Sequence, residues 1–233
     1  LKKFRICPGR LQNELVGLVV QESNVNPYSH FKNQINKDIK TIVELGANKF
    51  EFTYQLLEDY NPDILYAFEA HPFLSEYCMN NISDPRIVYV DKAVADFDGI
   101  IQFYDLEAHS GDERRGASSV FERIHAKHLQ KEPVPVTCTR LDSFLKKDTK
   151  IDLLCMDIQG AELMALKGMG DLIENLSYVI FECPLEDKHL GMHKGAPSRK
   201  DLFSFLEKYN FSFVDSVYEN EWEDNVLFVN KGI

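Results

Sequence analysis

The sequence predicts a mostly parallel α/β sheet with helices on both faces. Three observations lead there. Short apolar, β-branched runs alternate with amphipathic segments from residue 41 onward. Several of those runs are apolar at consecutive positions, as strands buried on both faces are. A glycine, Gly46, follows the first run immediately, where such sheets turn toward a ligand.

Taken in order, "TIVELG" (41–46) is a buried strand. "KFEFTYQLLEDY" (49–60) puts Phe52, Leu56, Leu57 and Tyr60 on one helical face and is closed by Asn61-Pro62. "DILYAFEA" (63–70) is a second strand. Pro72 suits the first turn of a helix in "HPFLSEYCMNNIS" (71–83), and "RIVYVDKAVA" (86–95) is a third strand. "DFDGIIQFY" (96–104) is a turn and an added strand. Residues 105–131 are polar, charged and long for a plain connection, the kind of segment that is functional or mobile. "VPVTCTRL" (134–141) resumes strand character, "DSFLKK" (142–147) is a short helix and "IDLLCMDI" (151–158) a buried strand. "AELMALKGM" (161–169) is a helix ending near Gly168 and Gly170, and "LSYVIFEC" (176–183) is the next strand. Ser198, with Asp201 three residues on, caps "RKDLFSFLEKYN" (199–210); "FSFVDSV" (211–217) and "NVLFVN" (225–230) close the chain as strands. Residues 1–40 show no clear period and are expected to be an N-terminal extension, with one domain over 41–233.

Composition narrows the function. Among 233 residues, 37 acidic against 26 basic side chains give a formal charge of -11, a field that repels phosphate backbones and argues against a nucleic-acid partner. No apolar run approaches the roughly 18 residues that span a bilayer, and the N-terminal stretch lacks the apolar core of a signal peptide. No membrane partner is expected. The five cysteines are scattered and odd in number, which fits a reducing cytoplasmic location. Without a C-x-x-C pair or an H-E-x-x-H helix, no structural metal is expected.

In open α/β sheets the ligand lies at the carboxyl ends of the strands. A carboxylate stands at or beside five of those ends: Glu44, Glu69, Asp91, Asp157 and Glu182. Phosphates want backbone N–H groups and cations, whereas a ligand carrying hydroxyls, an amine and a sulfonium wants acceptors. Gly46 is also what any tight turn would carry. Glu69 can accept both hydroxyls of a ribose or stand as a solvated strand end. In "DKAVAD", Ala93 and Val94 can lie against an adenine face while Asp91 or a backbone group reads its edge. In "LLCMDIQGAELMALKG" (153–168), Glu162 falls in a first helical turn, where a carboxylate is favourable without any chemistry. Asp157 caps an apolar strand beside the crevice, where a carboxylate must be paired or functional.

"IVELGANKFEFT", "YAFEAHP", "SSV", "VTCTRLDSF" and above all "IDLLCMDIQGAELMALKG" followed by "VIFECP" resemble the FkbM-type family of S-adenosylmethionine-dependent methyltransferases. The resemblance covers most of the chain from residue 41. It implies a Rossmann-like class I methyltransferase fold, a seven-stranded, mostly parallel sheet with an antiparallel last strand and helices on both faces. It also implies S-adenosyl-L-methionine as cofactor and O-methylation of a small-molecule or carbohydrate hydroxyl. Glu44, Gly46, Ala47 and Asn48 would lie under the methionine part and Glu69 on the ribose, with Ala70, Asp91, Ala93 and Asp157 completing the set. The family carries a further glycine where this chain has Phe50. A ring there is expected to crowd the cofactor or to pack into the helix, and the first case leaves a noncatalytic, ligand-binding relative as the alternative.

Asp157 is the candidate to orient or deprotonate the acceptor hydroxyl, assisted by Glu162 or by a histidine, His189 or His193, from the loop after "VIFECP". A metal-assisted variant would set Mg²⁺ between Asp157 and Glu182; the metal-free route is preferred. Arg114, Arg115, Ser118 and Ser119 in "RRGASS" are offered to the acceptor by a lid or stand as a solvated loop. A nicotinamide-dependent oxidoreductase shares the acidic residue after the second strand but needs a G-x-G-x-x-G turn that is not here.

Overall fold

The computed structural model describes residues 26–106, 117–124, 130–185 and 193–233. The main sheet is built from β1 (Thr41–Leu45), β2 (Ile64–Phe68), β3 (Ile87–Val90), β7 (Ile151–Met156), β8 (Leu176–Pro184), β9 (Phe211–Tyr218) and β10 (Glu223–Asn230), in the order β3-β2-β1-β7-β8-β10-β9. Its ladders are parallel except those of β10, which runs antiparallel to both β8 and β9. The chain winds outward from β1 to β3 and returns to β7, so the strand order reverses between β1 and β7. A crevice opens at such a reversal.

Apolar residues at consecutive positions serve two cores. Val43, Leu45, Leu154, Met156, Val179 and Phe181 enter the core on one face, beneath α5 (Glu162–Lys167) and α6 (Arg199–Lys208). Ile42, Leu153, Cys155, Tyr178 and Ile180 enter the other, beneath α1 (Pro27–His30), α2 (Thr53–Tyr60) and α3 (Ser75–Asn81). Residues 26–40, expected as an extension, are part of this second core: Tyr28, Phe31, Ile35 and Ile39 are buried in it. The packed unit therefore begins at least as early as Asn26.

Three elements differ from expectation. The run 86–95 is two strands, because the chain turns at Asp91-Lys92 and β4 (Ala93–Val94) joins a second sheet with β5 (Gly99–Phe103) and β6 (Val134–Thr139), ordered β4-β6-β5. Helix α2 starts at Thr53 rather than Lys49, because Asn48 and Phe50 hold left-handed backbone, φ 46° and 66°. Pro72 precedes α3 instead of sitting in its first turn. The α6 capping box is as expected: Asp201 N–H donates to Ser198 Oγ at 3.2 Å and Ser198 N–H to Asp201 Oδ2 at 2.9 Å. The short α4 (Leu141–Phe144) links β6 to β7.

Candidate active site

The turn after β1 is pinned from two sides. Gly46 and Ala47 donate their N–H groups to the Phe68 carbonyl at the end of β2, at 2.9 and 3.0 Å, and Asp157 N–H donates to the Leu45 carbonyl at 3.0 Å. Gly46 has φ +87°, and a Cβ on it would stand 2.0 Å from the Asp157 carbonyl oxygen. Only glycine lets the turn lie this close to β7. Beside it an open cavity of about 790 Å³ spreads across the ends of β1, β2 and β7, a figure that includes solvent at its mouth.

Of the residues expected at the ligand, Gly46, Ala47, Asn48, Glu69, Ala70, Ala93 and Asp157 line this cavity. Glu44 does not. It shares the strand face of Ile42, is 1% exposed, and accepts a hydrogen bond from Thr53 Oγ1 at 2.5 Å beneath α2. Burial pushes its carboxyl up to about 8 against the opposing effect of that hydrogen bond. Asp91 is also off the cavity: the turn that ends β3 leaves it exposed, accepting from Ser75 Oγ at 2.8 Å. Glu162, buried, accepts at 3.3 Å from the N–H groups of Ile158 and Gly160 with its Oε1. It braces the turn ahead of α5 and lies outside the cavity lining. His189, Arg114 and Arg115 fall outside the described residues.

Phe50 does not line the cavity either. Its ring is 3% exposed and packs edge-on against Tyr54 and Tyr89, with centroids 6.0 Å away in each case. The crowding expected of a side chain at this position is absent from the cavity, and the ring is a core residue.

Glu69 is held at the cavity by backbone donors: Asn48 N–H to Oε2 and His71 N–H to Oε1, each at 2.7 Å, with a further backbone hydrogen bond from Ala70. Burial raises its carboxyl and these hydrogen bonds oppose the rise. A carboxylate has about four acceptor positions, so with these three backbone donors acceptor capacity still remains for a hydroxyl. At the other wall, Asp157 accepts from Gln159 Nε2 at 2.9 Å, and the same nitrogen donates to Glu182 Oε2 at 2.7 Å. Glu182 is hydrogen-bonded to both Asp157 and Glu223. Burial, and then the charges of Asp157, Glu223 and Glu162, push Glu182 well above the usual carboxylate range.

Sequence reasoning passed over several contributors. His71, Leu74, Phe103 and Val120 line the cavity, and so does Ser118, which the sequence offers to the acceptor; Phe103, Ser118 and Val120 are brought by β5 and the segment after it. His71 Nδ1 accepts from Phe73 N–H at 3.2 Å, so Nε2 carries the proton and faces Asp105 at 3.0 Å; Lys131 Nζ meets the other Asp105 oxygen at 3.0 Å. The only signal was the length and charge of 105–131. Ser119 turns from the cavity to donate to the Gln159 carbonyl at 2.7 Å. His193 is buried against Gly160 with burial holding its imidazole down at about 4, and its Nε2 has no hydrogen-bond partner among the described residues.

The chain matches the family described as Methyltransferase FkbM domain over residues 44–213. A curated relative, the 2-O-methyltransferase NoeI of Sinorhizobium fredii (strain NBRC 101917 / NGR234), is 24% identical over 192 residues, covering 78% of this chain and 79% of NoeI. Among solved structures, Sp1610 of Streptococcus pneumoniae, provisionally a tRNA (m1A22) methyltransferase, superposes with a TM-score of 0.51 at 10% identity over 90% of this chain and 72% of Sp1610. Its complex with S-adenosyl-L-methionine gives 0.50 at 10% identity over 88% and 73%. These likenesses speak for the fold. The cavity fits the cofactor on its own chemistry. Glu69 offers acceptors for hydroxyls, Ala93, Val94 and Phe103 make an apolar end, and the backbone of Gly46–Asn48 runs along one wall, held close to β7 by the missing Cβ at Gly46. By the match across this region, the chain belongs to the FkbM family of methyltransferases, which use S-adenosylmethionine.

Proposed function

We propose that this methyltransferase acts on oxygen, methylating a hydroxyl of a small molecule or sugar. The observation that carries the reading is Asp157, a carboxylate in the cavity wall that is hydrogen-bonded to the Gln159 amide and the Glu182 carboxyl. Those partners orient it without neutralising it, which leaves it able to take a proton. The name of the S. fredii relative, a 2-O-methyltransferase, supports oxygen as the accepting atom. The net charge of -11 and the acids around Asp157 argue against a polyphosphate acceptor such as RNA.

Bound S-adenosylmethionine supplies an electrophilic methyl group. The chain does the rest by placement and proton removal. Glu69 would receive the ribose hydroxyls, the backbone of Gly46–Asn48 would lie along the methionine part, and Ala93 and Val94 would face the adenine. Asp157 orients the acceptor hydroxyl and takes its proton. Ser118 and Val120 line the same cavity and would lie beside the acceptor.

Calorimetric titration with S-adenosylmethionine and S-adenosylhomocysteine, followed by a labelled-methyl screen of hydroxylated sugars, natural products and RNA, tests the reading. Micromolar binding and transfer to a hydroxyl compound are expected. No heat and no thermal stabilisation would remove the cofactor assignment, and transfer to RNA bases alone would remove the hydroxyl acceptor.

A further inference from the structure

Gln159 sits in the turn between β7 and α5 with φ 53° and is 8% exposed. A residue with a Cβ stays in that left-handed region when its surroundings over-determine it. Here they do. Nε2 donates to Asp157 Oδ1 at 2.9 Å and to Glu182 Oε2 at 2.7 Å, while the carbonyl accepts from Ser119 Oγ at 2.7 Å. Both hydrogens of one amide nitrogen are thus committed to two carboxyls from adjacent strands. Two acceptors on the same atom also fix which end of the amide is nitrogen.

We propose that Gln159 is a positioning residue for the methyl transfer: by donating to both carboxyls it keeps Asp157 ionised and aimed into the cavity, with the proton of the pair on Glu182 behind it. The inference rests on the reading of Asp157 as the group that receives the acceptor's proton. In that step the hydroxyl O–H bond breaks, its electron pair stays on the acceptor oxygen, and the proton joins Asp157; the amide changes neither charge nor protonation.

Without Gln159 the surroundings favour a neutral Asp157. Acids face the Asp157–Glu182 pair from every side: the charge of Glu51, in the turn after β1, acts on Asp157, and those of Glu162 on α5 and Glu223 on β10 act on Glu182, while Asp157 in turn raises Glu44 on β1, Glu69 after β2 and Glu219 ahead of β10. A cation, Arg123, acts on Glu223. Burial raises Asp157, and the Gln159 hydrogen bond is the leading effect against it.

The test is a carbon-13 NMR titration of the side-chain carboxyls in the full chain, wild type against Gln159→Leu, with the Asp157 signal assigned through Asp157→Asn. Calorimetry with S-adenosylhomocysteine runs in parallel. Loss of a hydrogen bond to a charged group should move the Asp157 titration upward by about one pH unit or more, while affinity for S-adenosylhomocysteine changes by less than about threefold. Gln159→Asn keeps the amide but is too short to span both carboxyls, and it should shift the titration in the same direction if the Leu variant does not fold. An unmoved Asp157 titration in a folded variant overturns the role of Gln159. A wild-type chain that binds no S-adenosylhomocysteine would instead overturn the cofactor assignment, leaving the titration result to stand.

Discussion

Gly46→Ala tests the geometry on which the cavity depends. Two costs can be worked from the structure. A residue with a Cβ at φ +87° carries about 1–2 kcal/mol of left-handed strain. The added carbon would also stand 2.0 Å from the Asp157 carbonyl oxygen and 3.0 Å from its carbon, where ordinary contact begins at 3.4 Å. Since both neighbours are backbone, relief requires the ends of β1 and β7 to separate. The hydrogen bond from Asp157 N–H to the Leu45 carbonyl, 3.0 Å long, is the first to go, at about 0.5–1.5 kcal/mol. The sum is roughly 1.5–3.5 kcal/mol, which in a chain of this size corresponds to a fall in Tm of roughly 3–14 °C. Affinity for S-adenosylhomocysteine should fall roughly 30-fold or more, because about 2 kcal/mol of turn displacement would have to be reversed on binding. Thermal melts and calorimetry measure both. A variant that melts within about 2 °C of wild type and binds within threefold would refute the claim that the turn is fixed by its approach to β7.

The other expectations are briefer. Asp157→Asn should lower turnover on the acceptor found in the screen by at least about 10²-fold while leaving S-adenosylhomocysteine affinity nearly intact; a normal kcat would sink its role. Glu44, raised from 4.5 to about 8 by burial, holds a proton in the folded chain that the unfolded chain has already released across that interval. Its contribution to stability is therefore full below about pH 4.5 and is lost as pH rises toward 8, so Glu44→Gln should flatten that decline in urea midpoints measured at pH 5 and pH 8. A variant with the wild-type slope would show that Glu44 is ionised in the fold. For Phe50, truncation to Ala removes a buried ring at about 3–5 kcal/mol, whereas Gly regains about 1–2 kcal/mol of backbone strain. Chemical denaturation should therefore rank wild type above Phe50→Gly above Phe50→Ala, with S-adenosylhomocysteine affinity alike in all three; tighter binding by Phe50→Gly would put the ring back in the cavity.

The main sheet was legible because its signals are local. Apolar runs with turn residues between them mark β1, β2, β7 and β8, and strand ends in such a sheet mark the crevice. The candidate site was legible only as far as position along a strand determines direction. Glu44 and Leu45 are neighbours at the end of β1, yet period two sends Glu44 under α2 toward Thr53 and Leu45 to the opposite core, and nothing in "TIVELG" says which face looks toward the ligand. Asp91 lies off the cavity lining for a related reason. A single strand over 86–95 would have put it at a strand end, but the turn at Asp91-Lys92 moves β4 into another sheet, so Ala93 reaches the cavity and Asp91 faces solvent. Phe103 and Val120 arrive through the ladder of β5 with β6 and the loop after it, contacts far apart in sequence that no local pattern encodes.

Phe50 shows how a local departure can carry the wrong implication. Where a family favours glycine, one reason is lack of space for a side chain and another is backbone that only glycine adopts freely. The two reasons have different consequences. Lack of space would put the Phe50 ring against the ligand, whereas φ 66° costs only conformational strain and leaves the ring free to pack elsewhere. At this position it packs between Tyr54 and Tyr89 in the core beneath α2 and α3, so the strain is offset by burial of a full aromatic side chain. Gly46, four residues earlier, has left-handed backbone and also lacks the space, since its missing Cβ would collide with the Asp157 carbonyl. The distinction predicts that Gly46 tolerates no side chain and Phe50 tolerates a large one without loss of the cavity.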